Sequence, residues 1–296
     1  MSLLSFVGSL ELGLVYGFVA LGVYLSFRVL DFPDLTTDGS FPLGAAVSAA
    51  AITSGINPWL SIAMSASAGI CAGLATAALT LRFKILGLLS GILTMTALYS
   101  INIRVMGRPN LALLNERTVF DTGLALGLNP LWSNVIVLLI LIVFVVGALG
   151  WFLATETGLG MRATGVNPRM ARANGVHTSA QIYTGLAISH ALIACGGALF
   201  AQLNGFADVT GGIGTIVVGL ASVILGETFL RTRSARSLLA AAVLGSIVYR
   251  IAVQLALSAD AVGLKPSDLS LLTALLVAVA MVLPQLKLRL RGGCAT

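Results

Sequence analysis

Charge is what this sequence has least of: 17 Lys and Arg and 11 Asp and Glu in 296 residues, 9% charged against 57% hydrophobic. With a mean hydropathy of +1.00, that balance excludes a water-soluble domain, which needs far more solubilising charge to keep its core inside. Cysteine is almost as scarce. Cys71, Cys195 and Cys294 have no paired spacing, so they read as small core residues, not as metal ligands or disulfide partners. The two histidines, His177 and His190, lack metal-ligand spacing. His177 ends a polar loop and reads as solvated, and His190 reads as a hydrogen-bonded packing residue inside an apolar run. No G-x-x-x-x-G-K-[ST] phosphate loop occurs, so the chain is not expected to hydrolyse ATP itself. No catalytic constellation is evident, and none for a metal. A basic n-region and cleavage site are also missing at the start, so residues 1–30 read as a retained span.

What the sequence has in quantity is long apolar runs. Crossing the hydrocarbon layer takes about 20 apolar residues, and residues 5–29, 59–81, 85–105, 130–154, 182–202, 211–230, 237–257 and 269–286 qualify. The run 43–53 is too short for a straight span, and 211–230 could be re-entrant. The expected fold is an all-α polytopic membrane protein with about nine helices (eight to ten), a broken or short second helix and no soluble domain. The excess of 17 basic over 11 acidic residues falls in short inter-span loops, where it sets topology and meets anionic lipid instead of nucleic acid. The 33 glycines fit close helix packing, to which the Ala/Ser/Gly periodicity of 61–78 is also assigned.

The most informative polar stretch is 155–178, TETGLGMRATGVNPRMARANGVHT. Its middle predicts a short helix: Asn167 as N-cap, Pro168 in the first turn and Gly175 as a left-handed C-terminal cap. Met170, Ala171 and Ala173 give that helix a mildly apolar face beside Arg169 and Arg172. Helix and arginines together fit docking to a partner at the membrane surface.

These residues resemble the cytoplasmic loop of ABC importer permeases in the branched-chain amino acid and ribose permease superfamily. The loop pattern runs T-x-x-G-x-x-x-R-A-x-G-x-N-P-x-x-A-x-x-x-G-[IV]. Thr155, Gly158, Arg162, Ala163, Gly165, Asn167, Pro168, Ala171, Gly175 and Val176 match it in order. The resemblance implies a coupling helix that inserts into a groove on a cytoplasmic ATPase. Arg162, Arg169 and Arg172 would meet acidic groups there, and Ala171 and Gly175 would permit close approach. It also implies a second permease copy forming a homodimer, an extracytoplasmic substrate-binding protein, and ATP and Mg used by the partner, with no cofactor on this chain. The wording DLTTDGSFPLGAA after the first span, with LSLLTA at 269–274 and VLGSIVYR at 243–250, is similar to a subgroup often assigned to tryptophan or tyrosine import. A small solute, foremost an amino acid and possibly an aromatic one, is the substrate so implied, and a bacterial inner membrane the location.

Placing 155–178 inside puts twelve basic residues there, including Arg28, Arg82, Lys84, Arg231, Arg233, Arg236, Lys287, Arg289 and Arg291. Four remain outside (Arg104, Arg108, Arg117 and Lys265), with Arg250 at membrane depth. The positive-inside rule then gives an outer N-terminus and an inner C-terminus.

Residues 30–42, LDFPDLTTDGSFP, are the first candidate for a substrate pathway. Asp31, Asp34 and Asp38 lie there with Thr36, Thr37, Gly39, Ser40 and Phe41, and Pro33, Gly39 and Pro42 are expected to break any helix. Two readings stay open: a broken helix lining a cavity, or a loop whose Asp38 or Ser40 caps the next helix. Phe32, Phe41 and Tyr24 could stack on a ring or simply pack. Gly211, Gly212, Gly214 and Glu227 form a second candidate, with Gly226-Glu227 where many relatives have Gly-Gly. Glu227 and Arg250 are expected to form a buried pair. The rival from another class is a secondary transporter driven by an ion gradient, with Asp31, Asp34 and Glu227 as the ion-binding acids.

Overall fold

The computed structural model describes residues 3–257 except 115, 126, 128 and 231–233. The expected span 269–286, the basic residues Arg231, Arg233, Lys265, Lys287, Arg289 and Arg291, and Cys294 lie outside the described residues. Helix α1 (Leu3–Val23) passes without interruption into a π-helical segment, Tyr24–Val29. After a short non-helical stretch come α2 (Thr37–Thr53), α3 (Pro58–Leu81) and α4 (Gly87–Met106). Strand β1 (Asn110–Ala112), the one-turn α5 (Asp121–Ala125) and α6 (Pro130–Phe152) follow. Two short helices, α7 (Glu156–Val166) and α8 (Pro168–Ala173), precede α9 (Thr178–Asn204). Strand β2 (Phe206–Asp208) pairs antiparallel with β1, and a 3₁₀ turn (Val209–Gly212) leads to α10 (Thr215–Phe229) and α11 (Ala235–Leu257).

Seven of these segments are long and apolar enough to cross a membrane, and the chain is a multi-pass membrane protein. The seven correspond to the runs expected at 5–29, 59–81, 85–105, 130–154, 182–202, 211–230 and 237–257. The short run at 43–53 is the end of α2, whose 17 residues start earlier than its composition implied. Gly39 and Pro42 were expected to break the helix; instead α2 runs through both, and the break is confined to residues 30–36. Pro42 lies early in the helix, where its missing N–H leaves only the Asp38 carbonyl without its helical donor.

Helix starts repeat one device. Asn57-Pro58, Asn129-Pro130 and Asn167-Pro168 open α3, α6 and α8. In each, the Asn side chain accepts from the backbone N–H two residues on, and Pro sits in the first turn, where no N–H is needed.

The core is built around α9, which packs on α1, α2 and α3. Its glycines let backbones touch. A Cβ at Gly197 would collide with the Phe41 carbonyl, and one at Gly44 with the Ala194 carbonyl, so α2 and α9 lie in near-contact. On α3, Gly73 sits against the Leu186 carbonyl and Gly69 against the His190 carbonyl, making α3 antiparallel to α9. The assigned packing role of 61–78 holds for this face. The chain thus has two ends. One carries the π-helical segment, the α3–α4 turn, α7 and α8; the other carries the β1–β2 pair. In contrast to α9, the spanning windows of α3, α4 and α6 are only 28–33% buried.

Candidate functional site: a surface helix pair and a buried polar break

At the first end, the stretch expected to hold one short helix holds two. Thr155 caps α7, its hydroxyl accepting from the Gly158 N–H at 3.4 Å. Asn167 caps α8, its Oδ1 accepting from the N–H groups of Arg169 and Met170, both at 3.1 Å. Gly175, at φ +83°, closes α8: the Gly175 N–H donates to the Arg172 carbonyl and the Val176 N–H to the Ala171 carbonyl, both at 3.0 Å. That is the Schellman pattern, and it requires the left-handed residue that glycine supplies.

The two helices enclose a groove of about 450 Å³ lined by Leu159, Arg162, Ala163, Val166, Met170 and Ala171, among others. Val166 is 89% and Met170 65% exposed, and Arg162, Arg169 and Arg172 are exposed beside them. Ala171, expected to allow a partner's approach, is buried and faces its own chain. Gly158 and Gly165 likewise serve the interior. A Cβ on Gly165 would strike the Val29 carbonyl, so α7 rests directly on the π-helical segment. The matched residues thus include several that shape the pair (Thr155, Gly158, Gly165, Asn167, Pro168, Gly175) and Arg162, which presents charge alongside the unmatched Arg169 and Arg172.

The second site is the break at 30–36. Its Asp34 and Thr36, and Thr37 at the start of α2, are fully buried, which excludes a solvated loop. Asp34 Oδ1 accepts from the Thr36 N–H at 2.9 Å, and Asp34 Oδ2 lies 2.5 Å from His190 Nε2. Both members of that pair have 0% side-chain exposure. The Thr36 hydroxyl meets the Thr76 hydroxyl at 2.9 Å, so the break is tied to α9 and α3. Asp31 stays exposed, with a left-handed φ of +53°.

Asp38 does cap a helix, but α10 instead of α2. Its carboxylate accepts from the Gly214 N–H at 3.1 Å and the Ile216 N–H at 2.8 Å. The carbonyl of Asp38, left without its helical donor by Pro42, lies against Gly212, where a Cβ would not fit. The candidates Gly212 and Gly214 thus join Asp38 at one junction where the starts of α2 and α10 converge, while Gly211 points to open space. Ser40 is fully buried near this junction, and its hydroxyl has no hydrogen-bond partner among the described residues. Gly39 is pressed against α4, and its carbonyl accepts from Asn102 at 3.3 Å.

One expectation needs correction, and of the two readings left open for the aromatics the structure shows packing. Glu227 does not pair with Arg250; its Oε1 lies 2.7 Å from Arg28 Nε at the end of the π-helical segment. Arg250 instead sits 3.9 Å over the Tyr16 ring, a cation–π contact available because α11 packs on α1. Nor are Tyr24, Phe32 and Phe41 placed to stack on a ligand in this structure. All three are buried, and Phe41 stacks on Tyr16 at 5.7 Å between ring centroids.

Sequence reasoning missed the Asp34–His190 pair, although a histidine within an apolar run and an unpaired aspartate within a polar break were its separable halves. It also missed Gln202, which ties α9 to Ser48 of α2, Ser61 of α3 and the Val119 N–H.

Over residues 5–283 the chain matches the family described as branched-chain amino acid transport system, permease component. It is 37% identical over 279 residues to a tyrosine transport system permease protein of Clostridioides difficile, covering 94% of this chain and 90% of that one. An uncharacterized protein of Rickettsia prowazekii is 32% identical over 281 residues, covering 93% and 96%. A solved ABC transporter in an inward-facing conformation aligns at a TM-score of 0.49 with 19% identity, over 96% of this chain and 87% of that one.

Proposed function

The chain belongs to the branched-chain amino acid transport system permease family and is the permease component of an ABC-type transporter, and on that premise we propose that it imports an amino acid, with tyrosine the first substrate to test. The whole chain, 1–296, acts as one transmembrane domain. Two copies form the pathway, a separate cytoplasmic ATPase uses ATP and Mg, and an extracytoplasmic binding protein delivers the substrate. The α7–α8 end faces the cytoplasm in a bacterial inner membrane, with the N-terminus outside and the C-terminus inside. Among the described residues, that end carries Arg28, Arg82, Lys84, Arg162, Arg169, Arg172 and Arg236, while the opposite end has Arg104, Arg108 and Arg117.

The observation that carries this reading is the α7–α8 pair itself. The capped helix pair exposes apolar Val166 and Met170 beside the exposed Arg162, Arg169 and Arg172, a combination that fits an acidic partner with an apolar contact. Because Gly165 rests on the Val29 carbonyl, displacement of α7 would press on the π-helical segment and the break beyond it. Such a permease supplies a bistable element and no reaction. In the ion-driven alternative, Asp34 and Glu227 would bind the ion from positions that face His190 and Arg28, and Asp31 has no ion pair among the described residues.

The test is co-expression with an ABC ATPase and a substrate-binding protein from the same organism. Wild type should co-purify with the ATPase, and tyrosine-loaded binding protein should stimulate ATP hydrolysis. Arg162→Glu with Met170→Glu should abolish both while the permease still inserts. ATPase association that survives this double change would sink the proposed docking surface. Association without stimulation by any amino acid would sink the substrate assignment alone.

A further inference from the structure

On the side of the bundle away from α1, helices α3 and α4 diverge and leave a cleft of about 530 Å³. Its floor is Leu43, Ala72 and Leu98, which are buried together. Its walls include Ala68, Ala75, Ala78 and Leu79 of α3, and Leu93, Ala97 and Ile101 of α4. The one wall hydroxyl, of Thr94, is already satisfied by the Ser90 carbonyl. From Ala68 to Leu79 the cleft extends about 17 Å along α3, and Arg82 lies about 5 Å further on.

The turn at that end, 82–86, carries Arg82 and Lys84, both exposed and neither in an ion pair among the described residues. Lys84 has φ +56°, a left-handed conformation that a non-glycine residue rarely adopts. Phe83, 67% exposed, and Leu86 stand beside them, in the place where aromatic and apolar side chains meet the headgroup layer.

We propose that this cleft is a specific site for an anionic phospholipid, holding one acyl chain between α3 and α4 and the phosphate headgroup between Arg82 and Lys84. Size decides between lipid and a helix of a second copy. A helix 10–12 Å across would occupy roughly 1,300 Å³ over that length, more than twice the cleft, whereas a single hydrocarbon chain enters it. Chemistry decides the rest. The walls offer no charged side chain and only the Cys71 thiol and the Thr94 hydroxyl as polar groups, and two cations without an ion pair among the described residues stand where a phosphate would lie.

The experiment is native mass spectrometry of the purified full-length protein, titrated with phosphatidylglycerol and phosphatidylcholine of equal chain length. Wild type should retain phosphatidylglycerol on the order of tenfold more strongly, in keeping with two cations near the surface. Arg82→Gln with Lys84→Gln should bring the two lipids to parity. Ala75→Phe, or the smaller Ala75→Leu, should remove the tightly held lipid by filling the cleft while thermal unfolding in detergent stays unchanged. Equal retention of both lipids by wild type, or a preference untouched by either set of changes, would overturn the proposal. So would an Ala75→Phe protein that loses its dimer and keeps its lipid, since a second copy would then occupy the cleft.

Discussion

Helices α8 and α10 start with the same chemistry solved at opposite ranges. The cap of α8 is Asn167, two residues before the first N–H it accepts. That of α10 is Asp38, 176 residues from Gly214. At the membrane surface, a helix start can rely on neighbours in sequence because water satisfies whatever the cap leaves over. At the half-buried start of α10 the free N–H groups take their partner from another element, and an N–H left without one where water is excluded costs several kcal/mol. Local closure makes α8 a self-contained unit; long-range closure makes the 30–42 region a junction whose parts stand or fall together.

The contrast can be broken most forcefully at the buried pair. Asp34→Ala strands His190 in a dry site and should destabilise the protein by about 3–5 kcal/mol, read as thermal unfolding in detergent. Adding His190→Leu should recover most of that loss, because an apolar replacement of both partners leaves nothing unpaired. Failure to recover would mean that Asp34 acts mainly through the Thr36 N–H. Asp38→Ala should cost less, about 1–2 kcal/mol, with faster amide exchange in both α2 and α10. Exchange confined to α10 would show the junction to be less cooperative than its geometry implies.

The same kind of substitution at the surface should behave differently. Asn167→Ala should cost about 1 kcal/mol within α8 alone. Amide exchange should rise over 168–174, and the global unfolding midpoint should not move; a shifted midpoint would contradict the self-contained reading of α8. Smallest of all is Arg28→Gln. Its ion pair with Glu227 has one side chain 62% exposed, so the loss should be under about 1 kcal/mol and vanish at high salt. A larger, salt-independent loss would place that pair among the buried contacts.

The difference in range also explains what could be read in advance. At α8 every signal lies between Asn167 and Val176, so cap, first-turn proline and left-handed glycine were all legible, and the π-helical segment beneath α7 was not. In the break, the sequence marked a cluster of acids and hydroxyls but assigned its partners wrongly or left them open. One of two open readings made Asp38 or Ser40 the cap of the next helix, although the N–H groups Asp38 satisfies are those of Gly214 and Ile216. Glu227 was matched with Arg250 because both are ionisable within apolar runs. Only the packing of α10 against the π-helical segment brings Arg28 closer. Arg250 finds an aromatic face instead.

By itself, the sequence determined that the chain lives in a membrane, where the seven described spans lie and that a capped helix follows Asn167 at the surface. Those properties depend on run length, charge placement and neighbours within one helical turn. Tertiary structure decided which polar groups satisfy one another: Asp34 with His190, Asp38 with α10, Gln202 with α2 and α3. The reason is physical. In a medium without water a polar side chain must bond to whatever is nearest in space, and proximity between residues some 150 positions apart is fixed only when α9 brings α1, α2 and α3 together.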